Sequence, residues 1–124
     1  MISWGLLSTA SINSSVLEGI AETDEAEVVA VASRDSQRAD AYARANGIPK
    51  AYGSYEALLG DPGVDAVYVS LPNALHVEWT LRALEAGKHV LCEKPFSRRP
   101  AEVERVFDLA DSNGLVLSEA FMWR

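Results

Sequence analysis

The chain alternates between short apolar runs and segments with helical spacing, and this alternation limits the folds that it can adopt. The apolar runs have the length of buried strands and are bounded by residues that favour turns. They lie at Ile2–Leu7, Val28–Ala32, Ala51–Tyr52, Ala66–Leu71, His89–Cys92 and Leu115–Glu119. Strands that alternate with helices predict a parallel sheet with helices on both faces and right-handed crossovers.

Helices are predicted between these runs from apolar spacing and from start and stop signals. Ile12, Val16 and Ile20 recur every four residues and so fall on one face of a helix. Two further helices are predicted from their caps: Asp35 before Ser36–Asn46, and Ser54 before a helix through Leu59. Another has Val77, Leu81 and Leu84 on one face and ends at Gly87. The last begins at Pro100 and ends at Gly114. Together these elements predict an α/β fold of the Rossmann type, a doubly wound parallel sheet of strand order 3-2-1-4-5-6, in one domain over residues 1–124.

The composition is that of one globular domain and argues against several classes of function. Hydrophobic residues make up 48% of the 124 residues, and the net charge of −7 argues against a nucleic-acid surface. The first apolar run is too short for a signal peptide or a membrane span. Cys92 is the single cysteine, so no internal disulfide can form, which favours a reducing cytoplasm. We therefore expect a cytoplasmic protein that binds small molecules, without nucleic acid, membrane or metal.

The predicted sheet also indicates where a ligand would bind. In doubly wound sheets, ligands bind beyond the carboxyl ends of the strands, near the point where the strand order reverses. The segments that would meet there are 8–13, 33–35, 71–76, 92–96 and 119–124.

Segment 8–13 lies where a dinucleotide-binding chain has its G-x-G-x-x-G turn, yet it contains no glycine. Ala10 adds only a methyl group at the position where the pyrophosphate approaches the backbone. Ser8, Thr9 and Ser11 add hydroxyl donors at a helix N-terminus, which already favours an anion. The alternative interpretation is a helix capped by serine and threonine that binds no ligand.

Segment 33–35 predicts the choice between the two nicotinamide dinucleotides. NAD-binding domains usually carry an acidic residue at the end of the second strand, where it holds the ribose 2′-hydroxyl. Here Ser33 occupies that place and Arg34 follows. A hydroxyl and a guanidinium would bind a 2′-phosphate, so the pair favours NADP, with NAD still possible. Alternatively, Arg34 is a solvated loop charge or pairs with Asp35.

Segment 71–76 offers polar groups after the fourth strand. Pro72 ends the strand, Asn73 provides amide donors and acceptors, and His76 falls in the first turn of the next helix. A lone histidine in such a position is more often structural than catalytic.

Segment 92–96 places a carboxylate, an ammonium group and a proline directly after a buried strand. Lys94 at the end of that strand is a candidate contact for a substrate oxygen or a ribose hydroxyl. A cis peptide bond before Pro95 would aim the lysine sharply. The alternative is an exposed ion pair between Glu93 and Lys94, which would contribute little.

Five segments of the chain, taken in order, closely resemble the amino-terminal half of the glucose–fructose oxidoreductase / inositol dehydrogenase / rhizopine catabolism (Gfo/Idh/MocA) family. They are WGLLSTASI, VASRD, LPNALH, AGKHVLCEKPF and EAFMWR. Within the family they look most like the dimeric dihydrodiol dehydrogenase and NADP-dependent xylose dehydrogenase branch. The resemblance covers essentially the whole chain, and AGKHVLCEKP is its most specific part. It implies an NAD(P)-dependent oxidoreductase acting on CH–OH groups, with hydride transfer between NADP(H) and a sugar, polyol, diol or related carbonyl compound.

The resemblance also implies roles for single residues. Lys94 would contact the nicotinamide ribose and help to position or protonate the substrate, as the catalytic residue of the chain. The other implied cofactor-binding residues are Ser8, Thr9, Ala10, Ser11 and Ile12 at the pyrophosphate, Ser33 and Arg34 at the 2′-phosphate, then Leu71, Pro72, Asn73, His76, Glu93, Pro95, Trp123 and Arg124.

The chain departs from the family pattern in two places. Relatives in this branch usually have a glycine where Ser8 stands, so Ser8 should strain the turn if that position requires a positive φ. Relatives also continue beyond the position of Arg124 into a second domain that carries the substrate pocket. We therefore expect this chain alone to bind NADPH weakly, to show no turnover, and to form a homo-oligomer through its 121–124 end, where Phe121, Met122 and Trp123 would be uncovered.

Two other functions were considered. A non-catalytic dinucleotide-binding module, or a truncated fragment without turnover, would share all the cofactor segments. A methyltransferase-type nucleoside site is disfavoured, because it would require an acidic residue near position 33.

Overall fold

The computed structural model of the chain describes residues 2–9, 17–19, 22, 24–71, 75–93 and 100–120, and within them six strands form one parallel sheet. The strands are β1 (Ile2–Leu7), β2 (Ala26–Ala32), β3 (Lys50–Tyr52), β4 (Ala66–Val69), β5 (His89–Glu93) and β6 (Leu117–Ala120). Their order is β3-β2-β1-β4-β5-β6, and every neighbouring pair is parallel. The predicted fold class and strand order are confirmed.

Four helices with assigned bounds connect the strands: α1 (Ser36–Asn46), α2 (Tyr55–Leu59), α3 (His76–Glu85) and α4 (Pro100–Ser112). Residues 17–19 are helical as well. The two predicted caps are present, because Asp35 Oδ1 accepts from the Gln37 amide at 2.9 Å and Ser54 Oγ accepts from the Ala57 amide at 3.1 Å. The predicted helix face of Ile12, Val16 and Ile20 lies outside the described residues.

Three predicted strand bounds were wrong by about two residues, and the pairing partners explain each difference. β2 begins earlier, at Ala26, because Ala26 pairs with Ile2 at the start of β1. β4 ends at Val69 rather than Leu71, since its ladder with β1 stops at Leu7. β6 starts at Leu117 because the Leu115 amide is used to close α4, on the Ala110 carbonyl at 2.8 Å.

Two apolar clusters cover the two faces of the sheet. Since side chains alternate along a strand, Leu6 belongs to one cluster with Val31 and Tyr68, whereas Leu7 belongs to the other. The larger cluster joins the sheet to α2, α3 and α4, and it includes the edge-to-face pair of Tyr55 and Trp79, whose ring centroids lie 5.0 Å apart. Burial on both faces is typical of parallel sheets and explains the continuous apolar runs in the sequence.

A polar cluster stabilises the opposite, amino-terminal edge of β4 and β5. The Asp61 carboxylate accepts from the Tyr52 hydroxyl at 2.6 Å, the Lys50 ammonium at 2.9 Å and the Gly63 amide at 2.8 Å. These hydrogen bonds, that of Tyr52 first, lower the pKa of Asp61 from 3.8 to about 2.

Lys88 joins this cluster from the residue before β5. Its ammonium group donates to the carbonyls of Asp61 at 2.7 Å and Val64 at 2.6 Å, and the residue is only 6% exposed. Burial lowers the pKa of Lys88 from its ordinary value. The lysine of the AGKHV segment therefore links the turn before β4 to the start of β5.

Candidate functional site

The register of the sheet brings the predicted ligand segments to one edge. Leu7 at the end of β1 pairs with Ala32 of β2 on one side and with Val69 of β4 on the other, and Val69 pairs in turn with Cys92 of β5. The residues that follow these partners therefore lie side by side at the carboxyl edge. β1 and β4 are the neighbours between which the strand order reverses, so this is the edge where doubly wound domains bind ligands.

Ser8 follows β1 with an unusual backbone conformation. Its φ is +139°, in a region that favours glycine, and no other described non-glycine residue has a positive φ. The expected strain at this position is therefore present. Ser8 and Thr9 are both half-buried. The other predicted residues of this turn, Ala10, Ser11 and Ile12, lie outside the described residues.

At the end of β2, the acidic and the basic side chain of the SRD segment have different surroundings. The Ser33 hydroxyl is buried and accepts from the Asp35 amide at 3.2 Å. The Asp35 carboxylate accepts from the Gln37 and Arg38 amides at 2.9 and 3.3 Å, so it caps α1. Arg34 is exposed and forms no ion pair with Asp35 or with any other described residue. The alternative that Arg34 pairs with Asp35 is therefore wrong, and its guanidinium group remains accessible.

Arg38 is a further cation close to this position that the sequence analysis did not single out. It lies in the first turn of α1, is exposed, and follows Arg34 by four residues across the cap. The spacing of the two arginines on either side of a predicted cap is the signal that could have indicated it.

His76 has a structural contact inside the protein. It begins α3, is 1% exposed, and its Nε2 lies 2.6 Å from the carbonyl oxygen of Leu71. Because a carbonyl only accepts, Nε2 carries a hydrogen and donates it. This bond closes the connection between β4 and α3 and supports the structural interpretation of His76. A direct contact of His76 with a cofactor stays a prediction, and Pro72 and Asn73 lie outside the described residues.

The end of β5 places the backbone of Glu93 at the same edge. Glu93 pairs with Ala120 of β6, and Cys92 before it is fully buried. The predictions for Lys94 and Pro95, including the cis peptide bond, lie outside the described residues. So do those for Trp123 and Arg124.

Ser70 also lies at this edge, although the sequence analysis placed it inside a strand. It follows Val69 directly and is 8% exposed, and its hydroxyl has no hydrogen-bond partner among the described residues. A correct prediction that β4 ends at Val69 would have placed Ser70 among the candidate site residues.

Two other kinds of feature are absent from the described part of the chain. No three histidine, cysteine or acidic side chains come together there in a way that could hold a metal ion. None of the described helices combines the length and the apolar character needed to cross a membrane.

Comparison with known proteins gives the family. The sequence profile of the Gfo/Idh/MocA oxidoreductase family, NAD-binding Rossmann fold, matches residues 4–121. A D-xylose 1-dehydrogenase (NADP(+)) from Haloferax volcanii is 49% identical over 98% of this chain, and a trans-1,2-dihydrobenzene-1,2-diol dehydrogenase from Sus scrofa is 44% identical over 98%. The chain spans 37% of the length of each of these two relatives.

Solved structures agree with this assignment. A 3-ketoreductase from Actinomadura kijaniata in complex with NADP superposes with a TM-score of 0.91 at 42% identity, over 97% of this chain and 38% of that one. An NAD-binding oxidoreductase from Klebsiella pneumoniae superposes with a TM-score of 0.89 at 28% identity, over 96% of this chain and 34% of that one. The resemblance stated from the sequence is thus confirmed, and the chain belongs to the Gfo/Idh/MocA oxidoreductase family as an NAD-binding domain with the Rossmann fold.

Proposed function

We propose that this chain is the cofactor-binding part of an NADP-dependent oxidoreductase that transfers a hydride between NADP(H) and a sugar, polyol or diol. The observation that carries the choice of NADP is the arrangement at the end of β2. Arg34 is exposed without an ion-pair partner among the described residues, while the nearest carboxylate, on Asp35, is used to cap α1. A 2′-phosphate at this edge would meet an exposed guanidinium group, while the Asp35 carboxylate is hydrogen-bonded to the first amides of α1.

The groups at the carboxyl edge fit a dinucleotide in two further respects. The positive φ of Ser8 gives the start of the turn after β1 a backbone conformation that favours glycine, the residue that usually begins a dinucleotide-binding turn. The buried hydroxyl of Ser70 has no partner among the described residues, as expected of a group that a ligand satisfies. Both residues lie at the reversal point of the strand order.

The roles of the chain in catalysis are binding and orientation. When bound, the nicotinamide ring supplies the carbon that gives or accepts the hydride. Ser33 and Arg34 would hold the adenosine end, and the turn at Ser8 and Thr9 would hold the pyrophosphate. Lys94, directly after Glu93, is proposed to position the substrate oxygen and to donate or accept its proton. Fixing both reactants in this way can contribute about 7–11 kcal/mol to the lowering of the barrier.

The substrate class rests on the relatives rather than on this chain. The relatives named above act on a xylose, a dihydrobenzene diol and a keto compound, as their names state. We propose a substrate of that kind, a sugar or small diol, for the whole protein. The buried single cysteine is consistent with the cytoplasm that we propose as its location.

The experiment that tests this proposal is a calorimetric titration of the chain with NADPH and with NADH. Tighter binding of NADPH is expected. Arg34→Ala should weaken NADPH binding about ten- to a hundredfold, the value of a charge-assisted hydrogen bond, and leave NADH binding unchanged. Arg44→Ala is the matched control, because Arg44 is also exposed but lies in the last turn of α1, away from the end of β2. Equal affinities for the two dinucleotides, or no effect of Arg34→Ala, would contradict the proposal.

A further inference from the structure

Ser70 carries a buried hydroxyl group without a hydrogen-bond partner among the described residues. The residue is 8% exposed and comes directly after β4. Buried polar groups in native proteins are almost always paired, so an orphaned one requires an explanation. A hydroxyl group that is satisfied only when a ligand is present is one such explanation.

The position of Ser70 favours a ligand over a packing defect. The ladder pairs Leu7 with Val69 and Val69 with Cys92, so Ser70 lies one residue beyond the ladder, between Ser8 and Glu93. Ser8 on one side has the positive φ described above. α3, the next element along the chain, begins at His76 without a capping side chain, since Leu75 occupies the N-cap position. Two features that are unfavourable in the free protein, the backbone conformation of Ser8 and the unpaired hydroxyl group of Ser70, therefore follow the ends of two neighbouring strands.

A second buried hydroxyl group, that of Thr80, provides a comparison. Thr80 is fully buried and its Oγ1 likewise has no partner among the described residues. It lies one turn inside α3, between Trp79 and Leu84 of the apolar core, and not at the carboxyl edge. The two residues share the same chemistry and differ in their place relative to the candidate site.

We propose that the Ser70 hydroxyl hydrogen-bonds the nicotinamide mononucleotide half of bound NADP(H). This inference rests on the proposed function. If the pyrophosphate lies at the turn after β1 and the adenosine half at the end of β2, the other half extends over β4 and β5, where Ser70 lies. A hydroxyl group can both donate and accept, so it suits a ribose hydroxyl, a phosphate oxygen or a carboxamide.

The test is Ser70→Ala in the full 124-residue chain, with three measurements. Calorimetric titration with NADPH should give a Kd about three- to tenfold higher than that of the wild type, as expected for one lost hydrogen bond. Titration with adenosine 2′,5′-bisphosphate, which lacks the nicotinamide half, should give an unchanged Kd. Thermal unfolding of the free chain should give an unchanged or higher Tm, because the alanine removes a buried group that has no partner there.

Thr80→Val is the matched control, as it removes the other orphaned hydroxyl group at nearly constant volume. It should raise the Tm of the free chain and leave the Kd for NADPH unchanged. If the wild type binds NADPH and Ser70→Ala binds it with the same affinity, this inference is overturned and the proposed function is not. A lower Tm of the free Ser70→Ala variant, or weaker binding of the bisphosphate, would also overturn it, because either would show that Ser70 acts through the fold. A wild type that binds no NADPH would overturn the proposed function and this inference together.

Discussion

Replacing Ser8 with glycine should stabilise the free protein by about 1 kcal/mol, and the backbone geometry supplies the reason. A non-glycine residue held in a sparsely populated region such as φ +139° costs on the order of 1–3 kcal/mol. Glycine removes this strain but loses more backbone freedom on folding, which costs about 0.5–1 kcal/mol. The midpoints of the two ranges differ by about 1 kcal/mol, which is the expected gain in the free energy of unfolding.

Ser8→Ala separates the strain from the loss of the hydroxyl group. Alanine keeps the Cβ atom and therefore keeps the strain, so this variant should be no more stable than the wild type.

Urea denaturation followed by fluorescence of the tryptophans measures this effect. The glycine variant should have a higher midpoint at an unchanged m-value, which shows that stability and not compactness has changed. The same variant should bind NADPH at least as tightly as the wild type, because glycine also removes the Cβ atom from the turn that a phosphate would approach. A glycine variant no more stable than the wild type, or an alanine variant that gains equally, would refute the reasoning. Weaker NADPH binding by the glycine variant would show instead that the Ser8 hydroxyl is itself a ligand contact.

Two further predictions concern the opposite edge of the sheet. Asp61 has a lowered pKa of about 2, against 3.8 in its ordinary state, so its carboxylate stabilises the fold fully above about pH 4 and loses this effect as the pH falls through about 2. Urea titrations between pH 5 and pH 2 measure the acid-induced loss of stability. Asp61→Asn should abolish about 1–2 kcal/mol of that loss, a value that allows for solvent screening because the lysine partner of Asp61 is half-exposed. An unchanged pH profile would contradict this. Lys88→Met should lower the free energy of unfolding by about 1–3 kcal/mol, because it leaves the carbonyls of Asp61 and Val64 without their donor; a Tm equal to that of the wild type would disprove the assignment.

The local elements could be predicted because their signals lie within a few residues of one another. The bounds of α1 followed from the Asp35 cap and from Gly47, whose φ of +68° ends the helix in the way that glycine allows. The apolar runs indicated the strands, and six strands alternating with helices fit the doubly wound order, which the sheet has.

Contacts between distant positions were not predictable in the same way. Lys88 reaches carbonyl groups 24 and 27 residues earlier in the chain, and nothing near Lys88 in the sequence indicates those partners. Ser70 was missed for a related reason, because the end of β4 is set by the end of β1 and not by the residues around Ser70. The His76 contact with Leu71 shows the reverse case, in which a residue of a recognised motif already has a partner within the protein.

The most direct test of the account is to map NADPH binding onto the backbone amides of the free chain by ¹⁵N NMR titration. The account predicts that the largest shift changes fall at the carboxyl edge, on the amides of Thr9, Arg34 and Leu71. The amides of Val64 and Lys88, at the opposite edge of the same sheet, should stay unchanged and provide the internal control. Changes concentrated at Val64 and Lys88, or spread evenly over the chain, would contradict the claim that this edge is the NADP site.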